Sequence, residues 1–455
     1  MSTALRYVYH VALARRGEAR VLLLPSPDGW RLPGFGGSER RFWQDVAHVN
    51  RGLREHFGAE ALTLRCLALD YRRDQELVST VYAAVLRDAS WALPPGARWV
   101  GRAELAGLPL ATEAHRAPLS EWFAWYGSAP QTRLRAPWYL PGWHEDALAW
   151  AAERLGDAGL APTGPAEQLR AWQRSTILRL PTVAGAAYLK AVPPIFGHEP
   201  ALTAALAAAH PTSFPRVIAF DPDRGWLLMR ELPGPLLNAQ RDDVAIWERA
   251  LASFAELQIA SVARVPQLRA LGVPERPLEA LAARLGPLLG AMAAATPASP
   301  AGLTPEERGQ LRALGPRLQA MAAELAAFGL PAALEHGDFW AGQVVVGAEG
   351  FGFLDWSDSS IAHPFFSLLL FLVEIEDYFP RVPGVRERLR DAYLAPWAAA
   401  GFGDDLVRAF ELAQPLAALH HALAYHTRVL PNLEVQWELE LMLPFYLKMA
   451  VRVGR

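Results

Sequence analysis

His336-Gly-Asp-Phe-Trp-Ala-Gly-Gln343 runs directly into Val344-Val-Val, then Gly347-Ala-Glu-Gly350, then Phe351-Gly-Phe-Leu-Asp355-Trp356. Two short apolar runs flank a Gly-rich turn, which is the pattern of a β-hairpin. Doubling back within a few residues brings Asp355, at the end of the second strand, close to the loop that carries Asp338 and Gln343. Three oxygen-bearing side chains then converge on one cleft. Phosphoryl transfer calls for such a set: one carboxylate to orient a hydroxyl, and hard oxygen ligands for magnesium. A hairpin with incidental acids has the same pattern, and this stretch alone leaves both readings open.

Upstream, Tyr188-Leu-Lys190-Ala-Val192 is a strand-like segment with one cation at its centre. Of the 44 basic residues only Lys190 and Lys448 are lysines, so an interior lysine invites a reason that arginine cannot supply, namely a compact ammonium. Two strand-like runs, Arg174 to Leu180 and Ala186 to Val192, are separated by the turn-prone Pro181 to Gly185, and His198-Glu199-Pro200 opens a helix. Trp226-Leu-Leu-Met-Arg230-Glu-Leu-Pro-Gly234 reads as a strand leading into a hinge. From about Asn238 the pattern is mostly helical. Ala291 to Gly302 is an Ala- and Pro-rich stretch expected to form an exposed loop, and Thr304-Pro-Glu-Glu307 carries a capping box.

His-Gly-Asp, an amide at Gln343, and a hairpin ending in Asp-Trp together resemble the aminoglycoside phosphotransferase-like and fructosamine-kinase-like superfamily. The resemblance implies a bilobed protein-kinase architecture, ATP and Mg2+ as cofactors, and a hydroxyl of a small molecule as acceptor. It implies Asp338 as the catalytic residue that orients the hydroxyl, Asp355 and Gln343 as metal ligands, and His336 as support for the loop. Lys190 and Glu199 fall on the family's phosphate-binding pair. Gln173-Arg-Ser175-Thr176 resembles the segment that covers the nucleotide, and backbone at Arg230, Glu231 and Leu232 meets the adenine. The sequence departs from the family at Gln343, where Asn is usual. Its amide stands one methylene farther out, and magnesium tolerates little deviation from an octahedron. A catalytically weak, nucleotide-binding pseudokinase is therefore the alternative. No Gly-x4-Gly-Lys-[Ser/Thr] loop occurs in the chain.

The N-terminal region alternates strand-like runs (Tyr7 to Leu13, Arg20 to Leu24, Leu62 to Leu69, Val78 to Leu86) with a Gly-rich turn at Gly34 to Gly37 and a helix from about Phe42 to Phe57. Trp30-Arg-Leu-Pro-Gly-Phe-Gly-Gly37 followed by Arg51-Gly-Leu-Arg-Glu-His-Phe-Gly58 resembles a Nudix box. Arg51, Leu53 and Glu55 keep their places, while the other acidic positions fall on Trp43, Gly52 and His56. The resemblance implies a degenerate Nudix-like domain used for binding, regulation or packing, with residual hydrolysis as a third possible activity. The expected fold is α+β. A Nudix-like α/β sandwich over 1–127 and a linker over 128–145 precede a kinase-like N-lobe over 146–235 and a largely helical C-lobe over 236–455.

Composition sets the remaining bounds. A net charge of -3, from 44 basic and 47 acidic residues, offers no nucleic-acid or anionic-membrane surface. Cys66 is the single cysteine, which rules out an internal disulfide and a multi-cysteine zinc site. Neither a signal peptide nor a bilayer-length apolar run is read, so a soluble cytoplasmic protein is expected. Glu374, Glu376 and Asp377 read as a solvated helix end, although they could face a cationic acceptor. His420, His421 and His426 lack the spacing of helical zinc ligands and are expected to pack in the core. The identity of the acceptor and the oligomeric state are not legible.

Overall fold

The computed structural model describes residues 5–37, 39, 41–126, 134–296, 302–373 and 375–454. The chain divides into two compact units, Met1–Pro193 and Pro194–Arg455.

The first unit opens with strands β1 (Arg6–Ala14), β2 (Arg20–Ser26), β3 (Gly29–Arg31) and β4 (Gly34–Gly37), then helix α1 (Ala47–Phe57). It continues with β5 (Ala61–Arg72), β6 (Leu77–Leu86), β7 (Arg98–Gly101), α2 (Arg102–Ala106), α3 (Arg116–Tyr126) and α4 (Trp143–Asp157). The sheet order is β3-β2-β1-β6-β5, with β4 on β1 and β7 on β2. β1 and β6 run parallel and the other pairs are antiparallel. Val11 to Ala14 and Val21 to Leu23 are fully buried, so the core lies along β1 and β2.

Two local expectations change here. Gly34–Gly37 is a strand and not a turn, pairing with Tyr7 to His10. Glycine suits it because a Cβ at Gly37 would lie 2.8 Å from the Tyr9 ring, and one at Gly34 would lie 2.9 Å from His10 Nδ1. Helix α1 begins at Ala47 rather than Phe42, because the preceding residues pair with a distant strand. Val46 N–H donates to Leu169 O (2.9 Å) and Ala171 N–H to Gln44 O (3.0 Å).

That strand is β8 (Glu167–Trp172), which begins an antiparallel meander with β9 (Ser175–Thr182) and β10 (Gly185–Ala191). Gln168 fastens it to the first sheet: its amide donates to Thr63 O (2.9 Å) and accepts from Asn50 (2.9 Å). Within the described part of the 128–145 stretch, Trp138 and Tyr139 are buried, and the Trp138 indole donates to Trp172 O (2.9 Å). The first sheet and the meander thus share one compact unit.

The second unit begins with α5 (Glu199–Ala209), the hairpin β11 (Val217–Asp221) and β12 (Trp226–Arg230), and helices α6 (Val244–Val262), α7 (Val265–Ala270), α8 (Leu278–Ala294) and α9 (Pro305–Ala327). The expected loop over Ala291–Gly302 begins later, since α8 runs to Ala294; residues 297–301 lie outside the described residues. The capping box is present: Glu307 N–H donates to Thr304 Oγ1 (3.1 Å) and Thr304 N–H to Glu307 Oε2 (2.8 Å). Short strands β13 (Ala333–Glu335), β14 (Val344–Gly347), β15 (Gly350–Phe353) and β16 (Ser360–Ala362) follow. The unit closes with α10 (Leu368–Leu372), α11 (Ile375–Tyr378), α12 (Val385–Ala399), α13 (Leu406–Ala424) and α14 (Met442–Val453). α13 packs on α9 and α14, and α12 packs on α6. Among the described residues no helix is long and apolar enough to cross a membrane.

Candidate active site

β13 pairs with β16 and delivers the chain into the loop at His336. Gly337 takes φ +82, and a Cβ there would lie 2.3 Å from Asp358 O, so only glycine lets the loop pass. Phe254, Phe339, Phe353 and Trp356 form the floor, with Phe254 and Phe339 stacked at 3.8 Å and His336 4.5 Å from Trp356. His336 is fully buried, and burial pushes its pKa down. Asp338 N–H donates to its Nδ1 (3.3 Å), so the neutral ring carries its proton on Nε2 and donates to Leu354 O (3.0 Å). One imidazole thereby ties the Asp338 backbone to the end of the hairpin.

β14 and β15 pair in register from Val344↔Phe353 to Gly347↔Gly350, as the sequence pattern predicts. Leu354 N–H donates to Gln343 O (2.9 Å), which sets Asp355 beside Gln343. Asp355 takes φ +59; among the described residues only Glu76 is another non-glycine with positive φ. L-residues avoid this region, and such outliers persist where their surroundings hold them. On one side Leu354 is bonded to His336 and Gln343. On the other, Trp356 N–H donates to the buried Glu199 (3.1 Å) at the start of α5. Ser357 donates to Asp355 Oδ1 (2.9 Å). Asp338, Gln343 and Asp355 are all half-buried, open to a ligand yet walled by apolar groups.

The segment after β12 lies on this hairpin. Val346 N–H donates to Pro235 O (2.8 Å), and a Cβ on Gly234 would lie 2.3 Å from Val346 O. Leu232 covers Gly352 so closely that a Cβ there would meet its Cδ2 at 2.1 Å. Arg230 N–H donates to Arg216 O (2.8 Å), and Glu231 follows at the strand's end. Backbone at Gly234 and Pro235 and the Leu232 side chain therefore lie against the β14–β15 hairpin.

In the first unit, Lys190 lies on β10 opposite Ile177 and is only 5% exposed. Gln173 and Arg174 form the turn between β8 and β9, while Ser175 and Thr176 lie within β9 and are buried. Ser175 Oγ accepts from the Trp172 indole (2.9 Å), and the Thr176 hydroxyl donates to Arg170 O (2.9 Å).

Sequence reasoning did not single out Glu335. Its fully buried carboxylate accepts from Gly337 N–H (2.7 Å) and from the hydroxyls of Ser360 (2.9 Å) and Ser367 (3.4 Å). His420 Nε2 stands 3.4 Å away. Burial alone raises a carboxyl, yet the hydrogen bond and charge of His420, with His421 and the Gly337 N–H, hold Glu335 at about 2. The ligand atoms of Glu335, His420 and His421 lie within 4.8 Å of one another, a grouping that could hold a metal ion. With both carboxylate oxygens already accepting from protein donors, the cluster works as a hydrogen-bond network beneath the loop. His426 is half-buried beyond α13, Glu376 and Asp377 are exposed on α11, and Glu374 lies outside the described residues.

A carboxylate on a glycine-bent loop, next to an amide and a left-handed aspartate on one hairpin, is an arrangement suited to phosphate and a hard cation. The chain belongs to the phosphotransferase enzyme family, whose model matches residues 168–410 and so begins at the glutamine that clasps Thr63. No curated protein matches it significantly. Similar solved structures include macrolide 2'-phosphotransferase MphH from Brachybacterium faecium, 18% identical over 66% of this chain and 98% of that one, with a TM-score of 0.44. Choline kinase from Cryptosporidium parvum is 14% identical over 69% of this chain and 91% of that one (TM-score 0.46). Aminoglycoside phosphotransferase APH(3'')-Id from Streptomyces rimosus, solved with ADP and streptomycin, is 16% identical over 61% and 97% (TM-score 0.37).

Proposed function

We propose that the chain transfers the terminal phosphate of ATP to a hydroxyl of a small molecule in the cytoplasm. Asp338 accepts a hydrogen bond from that hydroxyl, aims its oxygen at the phosphorus and takes its proton. The new O–P bond forms as the bond to the leaving ADP oxygen breaks. Asp355 and Gln343 would hold magnesium, which would supply positive charge to the phosphate oxygens. Lys190 carries the ammonium for the inner phosphates, Glu199 steadies the backbone at Trp356, and the Gln173–Thr176 segment, the turn and the first residues of β9, covers the nucleotide. Backbone at Arg230, Glu231 and Leu232 meets the adenine. His336 keeps the loop and hairpin in register.

The observation that carries this reading is the left-handed backbone at Asp355, braced by bonds on Leu354 and Trp356. Strain of that kind supports a ligand role better than a packing role. Gln343 favours a second reading, nucleotide binding with weak transfer. Thermal unfolding with ATP separates the two. The enzyme shows a magnesium-dependent rise in midpoint that Asp355→Ala removes, whereas a rise independent of magnesium in both proteins points to the pseudokinase.

Residues 1–127 of the first unit are proposed to form a non-catalytic Nudix-like domain. Trp43 lies edge-on to Trp172 (5.4 Å), His56 stacks on Phe35 (5.5 Å), and a Cβ at Gly52 would lie 2.2 Å from the Phe35 ring. Packing thus occupies the places where further metal-binding glutamates would stand, leaving exposed Glu55 alone. Equal nucleoside-diphosphate cleavage by wild type and Glu55→Gln excludes residual hydrolysis.

A further inference from the structure

Within the second unit, a cavity of about 260 Å³ opens between the Pro274–Arg284 segment and the end of α13. Glu275, Arg276, Arg284, Arg428, His420 and Thr427 contribute its polar wall. Backbone bonds fix Arg276, since its N–H donates to Ile361 O (2.9 Å) and Ile361 N–H to Pro274 O (2.8 Å). The chain past α13 widens into a π-turn over Tyr425–Val429, which turns Thr427 and Arg428 onto the cavity. Such turns interrupt helices mostly where a site needs them.

Three guanidiniums gather at this one cavity. Among the described residues, the Arg276 guanidinium has neither a hydrogen bond nor an ion pair. Burial pushes its pKa down, with Glu335 and Asp358 pulling the other way. Arg428 donates to Ile195 O, a neutral acceptor, and burial followed by the charge of Arg276 brings it to about 10. Arg284 adds an exposed third guanidinium at the rim. On the acidic side, Glu275 is engaged by Arg269 (2.9 Å), Glu335 is enclosed by its own donors, and the single Asp358 carboxylate acts on both Arg276 and Arg428. Crowding like-charged guanidiniums is costly where they are half-buried, as Arg276 and Arg428 are, unless anions join them.

We propose that this cavity binds the anionic group, phosphate or carboxylate, of a small molecule, with Arg276 at its base and Arg428 and Arg284 on its sides. The planar guanidinium fork matches either group with paired N–H donors. His420 borders both this cavity and the Glu335 network beneath the catalytic loop, so an occupant adjoins the groups that set Gly337. The proposal does not depend on the transfer chemistry.

Inorganic phosphate and succinate serve as probes, titrated against the full chain at constant ionic strength in chloride, with thermal unfolding as readout. Each variant is compared with its own chloride baseline. The expected result is a saturable rise in midpoint with at least one probe; which of the two acts separates a phosphate from a carboxylate ligand. Arg276→Met should weaken the apparent affinity about tenfold or more, and Arg276→Lys less. Arg284→Gln, at the exposed rim, gives a smaller loss and covers the case in which Arg276→Met fails to fold. Lys190→Met should keep the response. A response lost in Lys190→Met but intact in the arginine variants would assign the anion to the nucleotide site and overturn the proposal, as would no saturable response to either probe.

Discussion

Glu335 stands one residue before His336 and holds the loop from below. Its carboxylate accepts the Gly337 N–H and two hydroxyls while fully enclosed. Replacing it by Ala leaves those donors unmet, so chemical denaturation should show a loss of about 3 kcal/mol, with Glu335→Gln milder because its amide oxygen still accepts. At Asp355 the backbone makes the test. Gly adopts φ +59 freely and Ala does not, so Asp355→Gly should be more stable than Asp355→Ala by about 1 kcal/mol. Both should lose the magnesium-dependent response to ATP; equal stabilities would argue against a strained site. The grouping of Asp338, Gln343 and Asp355 on one loop and hairpin was legible because one contiguous motif carries them. Glu335 was not, because its partners Ser360, Ser367 and His420 lie far along the chain and a glutamate ending an apolar strand carries no signal of its own.

At the scale of elements, the hairpin was readable to within a residue because its turn and both strands are local. The start of α1 and the strand at Gly34–Gly37 were not. Residues 44–46 stay out of the helix because they pair with β8, more than a hundred positions away, and a run of glycines signals a turn unless the ring passing over it is known. The close approach of Gly337 to Asp358 gives a sharp test of the loop. Gly337→Ala must displace backbone, since its Cβ would lie 2.3 Å from a carbonyl oxygen at φ +82. A loss of about 3 kcal/mol or more in stability is expected, along with loss of any ATP response. Ala at Gly58, which also has positive φ but open space around it, should cost only about 1 kcal/mol.

Across the whole molecule, buried histidines govern the response to acid. Burial, the largest influence in each case, holds His198 and His363 at about 3 and His10, His48, His144 and His421 at about 4. In the unfolded chain these rings protonate near ~6.5. The folded pKa is the lower one, so the unfolded state binds protons first as pH falls. Their stabilisation is complete above about 6.5 and is lost progressively towards pH 4 and 3. Glu335, at about 2, loses its contribution below about 4.3 with the same sign. Urea unfolding at stepped pH should show stability falling between pH 6.5 and 4, on the order of 1.4 kcal/mol per pKa unit for each ring that stays neutral. A flat profile across that window would show the rings to be solvated. Composition predicted compact units but not that the meander carrying Lys190 would share one with the N-terminal sheet, since the Gln168–Thr63 clasp joins residues 105 positions apart.

In the proposed reaction Asp338 orients an acceptor hydroxyl for phosphate transfer from ATP. Its most direct test follows ADP release by the purified full chain with MgATP across a library of hydroxyl-bearing small molecules, comparing wild type with Asp338→Asn. Acceptor-dependent release is expected from wild type, reduced at least about a hundredfold by the substitution while ATP still binds. Equal release by the two proteins, or none from wild type with any acceptor, would contradict it.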